Sequence, residues 1–325
     1  MNTTDFLKDV KNAITVPTYQ ARFDDNDLLD LANGEIVSTI VPMITSLQEE
    51  FFVVPEDISV AAGDTRVQIP YRAAGRILRE LHYLQGTNEY NLPRYSLTES
   101  FRWTSNTSGE PCGFYIQGDF VYLVPVPDSA GTLKTWYYLN PSMLVSTDRT
   151  NTIDSVTNYI HPTDPLQNKF YVTVSAAIAT NIVIGSLVDI TQFRAGYRII
   201  YKDLRVTNKS NRDIYLEDDT NNFSATNLIT GVVANDSISL AEETSIIQLP
   251  REATGVLISA TAVQVLQALA IPEHLKIAEA DLQKKIIACK MALAPRVDGE
   301  SVKIINRNGL LSGRNTNRRF PRLTV

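Results

Sequence analysis

Residues 111–145 read PCGFYIQGDFVYLVPVPDSAGTLKTWYYLNPSMLV, three short apolar runs separated by turn residues, and they put β structure at the centre of the fold. Residues 114–116 and 120–124 flank Gln117, Gly118 and Asp119, the composition of a tight hairpin whose turn needs a residue tolerant of positive φ. Pro125 and Pro127 then stop the ladder, because proline has no N–H to donate. After a turn at 128–131, residues 133–139 resume as a strand with Trp136, Tyr137 and Tyr138 at its centre, and Pro141 ends it.

Upstream, Leu29, Ala32, Ile36, Ile40, Met43 and Leu47 follow steps of three and four, which predicts a helix over 27–48. The FDDND run at 23–27 supplies its cap and sets negative charge at the positive end of the helix dipole. Pro42 is expected to kink or break this helix, since its ring clashes with the preceding turn. Strands are expected at 51–54 and 66–70, separated by a turn at Ala62, Gly63 and Asp64. Residues 77–84 fit a helix through Ile77, Leu81 and Leu84, and a strand through Ile77, Arg79, Leu81 and Tyr83. Ser96 and Glu99 form a capping box that favours a short helix through Phe101.

Between 170 and 247 the character changes: β-branched residues dominate, Asn and Asp clusters recur, and helical periodicity is weak. Runs such as YVTVS, RIIYKDLRV, IYLED and SISLA predict an all-β unit over 155–247, closed into a small barrel or sandwich. Helix resumes at 251–269, with Val256, Ala260, Val263 and Leu266 or Leu269 on one face, so the β unit reads as an insertion. Beyond Pro272, Leu275, Ala278, Leu282, Ile286, Cys289 and Leu293 mark a second helix that Pro295 ends. This αα-hairpin can pack with 27–48 as a small bundle. The expected fold class is therefore α+β: a helical-bundle body with β-hairpins (1–154 and 248–295), the inserted β domain, and an extended basic arm at 296–325.

The hairpin pattern resembles the head-to-tail adaptor (neck or connector) proteins of tailed bacteriophages. The resemblance runs through Gly118, Val121, Leu123, Pro125, Pro127, Leu133, Tyr137, Tyr138, Pro141, Leu144 and Val145, and segments 69–97 and 294–313 agree with it. It favours strand for 77–84. It implies a structural protein that forms a homo-oligomeric ring of twelve copies beneath the portal protein, with its C-terminal end docked there.

Charge adds an asymmetry. The chain carries −6 overall, yet after Glu300 it has no acidic residue and six basic ones, Lys303, Arg307, Arg314, Arg318, Arg319 and Arg322, which leaves −12 on residues 1–302. Two cysteines, Cys112 and Cys289, make neither a disulfide framework nor a metal site. Charges interrupt the N-terminal MNTTDFLKDVKN, and no run approaches the ~18 apolar residues of a membrane span, so a soluble, cytoplasmically made protein with no membrane partner is expected, and the resemblance implies that the cytoplasm is that of the host bacterium.

An enzyme needs a constellation, and His82, His161 and His274 sit in three unrelated segments without HExxH or CxxC spacing. There is no P-loop, G-x-S-x-G or dinucleotide fingerprint, so neither catalysis nor a cofactor is expected. Asp24, Asp25 and Asp27 read as a cap, and Glu217, Asp218 and Asp219 as a solvated turn. Trp136, Tyr137 and Tyr138 read as core or subunit contact, alternate rings facing a core and the others a neighbour. The tail mixes Arg307, Arg314, Arg318, Arg319 and Arg322 with Leu310, Leu311, Phe320 and Leu323, a composition that can fold on binding. Its expected target is the portal, with the double-stranded DNA passing through the channel as the alternative. The expected function is thus an adaptor ring of the virion neck that joins capsid to tail, also touching the tail or next neck protein, and conducts DNA during ejection. The alternatives are a second neck ring below it, or a tail-associated component that binds carbohydrate or the host surface.

Overall fold

Asn2 caps the first helix, α1 (Thr3–Ala13), where the sequence reading assigns none; its side chain accepts from the Asp5 N–H, and Phe6, Leu7 and Val10 are buried. Those apolar positions fall at helical spacing, so the signal was present among the charges. The structure is a computed structural model that describes residues 1–14, 22–100, 108–159, 169–193, 198–217 and 231–294.

In α2 (Asp25–Glu35), Asp24 and Asp27 form a reciprocal capping box, a device worth about 1 kcal/mol. The helix runs through a π turn (Ile36–Ile40) into α3 (Val41–Leu47), with Pro42 in the first turn of α3. The Val41 N–H bonds the Ile36 carbonyl, one residue wider than an α-helical bond. That extra residue just before the proline absorbs its missing donor and its ring, so the chain stays helical through the position where a kink or a break was expected. The expected stripe is buried at Leu29, Ala32, Ile36, Ile40 and Met43. By length and composition the continuous helix Asp25–Leu47 is apolar enough to cross a membrane, which the sequence reading denied of any run. Its apolar side packs into the helical core.

The next elements are β1 (Val53–Val60), β2 (Arg66–Gln68), β3 (Ala73–Gln85), β4 (Asn88–Asn91), α4 (Leu97–Ser100), β5 (Ser108–Gly109), β6 (Gly113–Gln117), β7 (Phe120–Val124), β8 (Val126–Pro127), β9 (Gly131–Leu139) and β10 (Met143–Leu144). They form a four-stranded sheet in the order β1-β9-β3-β4, a three-stranded sheet β2-β7-β6 and a short β5-β8 pair. The ambiguous 77–84 segment is strand: Leu81 and Tyr83 are buried, and β3 pairs with β9 along its length. Gly75 and Arg76 both have positive φ, within a register shift between Ala73 and Leu78, which explains the broken alternation there. Gly118, at φ 61°, turns β6 into β7 as the hairpin composition requires. Strand β1 begins at Val53 rather than Phe51, and Phe52 joins the helical core instead. At Gly131 a Cβ would run into the Tyr83 ring and the Leu84 carbonyl, so the absence of a side chain lets the fully buried Tyr83 lie against β9. The two larger sheets share one core that includes Val60, Ile69, Leu81, Tyr83, Leu123, Leu133 and Tyr137.

Six strands then close into an antiparallel barrel: β11 (Asn151–Tyr159), β12 (Lys169–Val174), β13 (Leu187–Thr191), β14 (Ile199–Ser210), β15 (Asp213–Glu217) and β16 (Ser237–Leu240). The order is β11-β12-β15-β14-β13-β16, with β16 returning to β11, so none of the six keeps an open edge. Val172, Val188, Ile190, Leu204, Val206, Ile214, Leu216 and Ile238 fill the interior. Strand β11 starts at Asn151 and so crosses the 154/155 boundary drawn from the sequence. After the barrel, β17 (Glu243–Thr244) pairs in parallel with β10, tying the chain back to the body where it left.

Helix α5 (Arg251–Ala268) buries residues on every side, among them Ala253, Val256, Leu257, Ala260, Thr261, Val265 and Leu266. The single stripe expected there was too narrow, because α1, α2 and α6 (Pro272–Leu293) all pack on α5. On α6 the expected row is in place, with Cys289 and Leu293 buried and Leu275, Ala278, Leu282 and Ile286 half-buried against the same core. Contacts join Met1–Leu293 in one unit, and beyond it only Ala294 is described.

Candidate functional site

Alternation along β9 sorts its aromatic run. Leu133, Thr135 and Tyr137 turn inward and are buried, while Trp136 and Tyr138 are half-buried on the opposite face. Tyr137 stands opposite Val54 of β1 and Leu78 of β3. Its hydroxyl donates to Glu56 Oε2 at 2.8 Å and accepts from Lys202 Nζ at 2.6 Å, and Lys202 also ion-pairs with Glu56. Glu56 belongs to β1 of the sheet and Lys202 to β14 of the barrel, so this cluster bridges the two. Beside it lies a groove of about 280 Å³ lined by Glu56, Asp57, Lys134, Tyr201 and Lys202.

A second bridge is deeper. Arg72, just before β3, donates from both terminal nitrogens to the two Asp189 oxygens at 2.7 and 2.8 Å. It also donates to Asp203 Oδ1 at 2.6 Å and, through Nε, to Tyr71 Oη at 3.0 Å. Asp189 lies on β13 and Asp203 on β14, and Tyr71 donates to Asp203 in turn. The Asp189 carboxylate accepts two backbone N–H bonds as well, from Asp203 at 3.0 Å and Glu242 at 3.1 Å. Both donors have positive φ, 58° and 65°, so the carboxylate pins two strained corners of the barrel. Burial pushes the Asp189 carboxyl up, and the Arg72 bonds pull it back. For Arg72, burial works to lower the pKa, but the hydrogen bonds and charge of Asp189 outweigh it and hold the guanidinium above its ordinary value.

The Tyr71 phenol is pushed up to about 12, first by burial and then by its hydrogen bond to Asp203. Its folded-state pKa lies above the unfolded value of 10.0, so the stability it contributes is complete below pH 10 and is lost as pH rises through about 12. Tyr137 moves further in the same direction, through burial and then the Glu56 charge. In urea titrations between pH 10 and 12, the wild-type midpoint should fall more steeply than that of Tyr71→Phe. Parallel curves would show that the phenol proton is not held by the fold.

The other residues singled out in the sequence do not converge. His82 Nδ1 lies 2.6 Å from Glu89 Oε1 on neighbouring strands, His274 is exposed on α6, and His161 lies outside the described residues. Asp24 and Asp27 are engaged in the cap, and Asp25 pairs with Lys11 at 2.5 Å. Glu217 ends β15, while Asp218 and Asp219 lie outside the described residues. Cys112 is an exposed free thiol and Cys289 a buried one. Among the described residues no group of three His, Cys, Asp or Glu side chains is placed to hold a metal ion. Arg307, Leu310, Leu311, Arg314, Arg318, Arg319, Phe320 and Arg322, expected to dock on the portal, all lie outside the described residues. Of the three aromatics read as core or subunit contact, Tyr137 is closed inside the chain, while Trp136 and Tyr138 keep part of their surface exposed.

The bridging residues were missed because their partners are more than a hundred positions apart in sequence. One local sign existed: Asp189 interrupts the apolar run LVDIT at 187–191, and a buried carboxylate there needs a cation. By joining side chains of the sheet to side chains of the barrel, the two clusters can fix one against the other. A family model described as SU10 adaptor protein matches residues 1–172, from α1 through the sheets to the middle of β12. No curated protein matches the chain.

Proposed function

The chain belongs to the SU10 adaptor protein family, and we propose that it is a structural protein of the phage neck, a head-to-tail adaptor ring attached to the portal. The observation that carries this reading is the family match over residues 1–172, which takes in the whole four-stranded sheet and its Tyr-Tyr strand. In this reading twelve copies form the ring, the body (1–154 and 248–295) makes the ring contacts, and the inserted unit 155–247 faces outward or towards the tail or next neck protein. Trp136 and Tyr138, half-buried on one face of β9, are subunit contacts. The basic arm, through Arg307, Arg314, Arg318, Arg319 and Arg322, clamps the portal with charge-assisted bonds while its apolar residues anchor it.

The charge distribution supports conduction of DNA. A duplex passing an acidic body releases few phosphate counterions and so does not adhere. The −12 carried by residues 1–302 suits a channel wall, and the six basic residues beyond suit a docking segment. Synthesis in the bacterial cytoplasm and assembly at the neck of the virion complete the reading.

Native mass spectrometry of the full chain, alone and mixed with the phage portal protein, tests it. A monomer that becomes a twelvefold complex only with the portal is the expected result, and deleting 307–325 should abolish that complex. A wild-type chain indifferent to the portal overturns the proposal.

A further inference from the structure

The outer faces of α2 and α6 carry matching rows. One row is Asp30 and Gly34 on α2 with Val37 in the π turn that continues it; on α6 the row is Lys284, Ala288 and Met291, and both are spaced four residues and then three. All six residues are exposed, Val37 by 56% and Met291 by 74%. Steps of four and three place each set in line on one side of its helix. Each helix turns its other side to α5, so within one copy both rows face away from the helical core. On α6 Ile277, seven residues before Lys284, continues the row and Ile287 flanks it, and they are 71% and 54% exposed. That gives the helix a second apolar side opposite its buried one, more than a solvated helix needs.

Gly34 is the telling position. Glycine weakens a helix interior relative to alanine, and a Cβ at Gly34 would meet nothing within 4 Å. Nothing packed inside the chain requires the absence of a side chain there. A second helix crossing at that point does, because backbones approach closely where the facing residues are small.

We infer that α6 of one copy docks in parallel on α2 of the next, with Lys284 beside Asp30, Ala288 on Gly34 and Met291 against Val37. In that register the opposite charges meet, the smallest residues meet, and the two exposed apolar side chains cover each other. An antiparallel register sets Lys284 against Val37, and an α6 to α6 pairing sets lysines together. Because the two rows are different surfaces, the contact is heterologous and propagates around a rotation axis until it closes. The inference rests on the ring reading above and adds which surfaces meet.

The test uses the full chain with Cys112→Ser, which removes the exposed native thiol. Val37→Cys and Met291→Cys proteins are assembled with the portal, singly and as a mixture, and treated with a short bis-maleimide. Crosslinked dimers should form in the mixture and in neither single variant, and the double variant should give a ladder of multimers. Dimers from Met291→Cys alone would overturn the inference in favour of an α6 to α6 contact. Rings without crosslinks in the mixture would overturn it too while leaving the ring reading in place, whereas no ring from the wild type would overturn that reading itself. Gly34→Leu should abolish ring assembly with the far-UV circular dichroism and melting temperature retained, and Gly34→Ala should raise the melting temperature. Rings from Gly34→Leu at wild-type yield would also refute the contact.

Discussion

Replacing Asp189 by alanine is expected to lower the unfolding free energy by roughly 3–5 kcal/mol, the range for breaking a buried ion pair by removing one partner. Asp189 is fully buried and Arg72 is 4% exposed, so the guanidinium left behind is largely shielded from water. Asp203 and Tyr71 keep two of its donors engaged, but the two bonds to Asp189 are lost together. The backbone N–H groups of Asp203 and Glu242 lose their acceptor at the same time, at residues already held at positive φ. Burial pushes the Asp189 carboxyl up, so the intact pair is a modest source of net stability even though breaking it is costly. Replacing both partners, Asp189→Leu with Arg72→Met, should therefore recover part of the loss, though not all, because the two N–H groups stay orphaned. Urea unfolding followed by two probes measures this. The barrel strands between Asn151 and Leu240 contain no tryptophan, so fluorescence reports the rest of the chain while far-UV circular dichroism reports both. The probes should coincide in the wild type and separate in Asp189→Ala, as the barrel loses its tie to the sheet. A loss below about 1 kcal/mol would mean that the network behaves as a surface pair.

What could be read from the sequence was what is local. The Gln117-Gly118-Asp119 turn, the β9 strand, the Asp24 cap and the α6 row each depend on residues within a few positions of one another, and the structure contains all four. The four β runs at 170–247 were also visible, since alternation is local, and they form strands of the closed barrel. Two kinds of feature escaped. One is where tertiary contact overrides a pattern: α5 was assigned one face because a lone helix shows only its own stripe, yet three helices surround it. Pro42 was expected to kink or break the helix because a proline's cost is counted in an α-helix, and the π turn before it changes that geometry without ending the helix. The other kind is pairing at long range. Arg72 with Asp189, and Glu56 with Lys202, join segments that no window of sequence places together.

The two tyrosines of β9 should separate core from subunit contact. Tyr137→Ala removes a fully buried ring from the core shared by the two sheets, and aromatic deletions of that kind cost about 3–5 kcal/mol. It also strips the Glu56 and Lys202 pair of the hydroxyl that bonds both, so a polar deficit adds to the cavity. Tyr137→Phe keeps the packing and isolates that polar part, with a loss of about 1 kcal/mol expected. Tyr138 is only half-buried, and its hydroxyl donates to the exposed Glu49 at 2.7 Å. Tyr138→Ala should cost the monomer no more than about 1 kcal/mol, the scale of a cross-strand pair. Trp136, on the same face and opposite Pro55 and Glu80, should behave likewise. Assembly then reverses the ranking. If Trp136 and Tyr138 meet a neighbouring subunit, the Trp136→Ala and Tyr138→Ala monomers should melt near the wild-type temperature but form rings poorly with the portal. Tyr137→Phe should assemble normally. Wild-type ring yields from both outer-face variants would assign the whole aromatic run of β9 to the fold of one chain and leave ring formation to the helices.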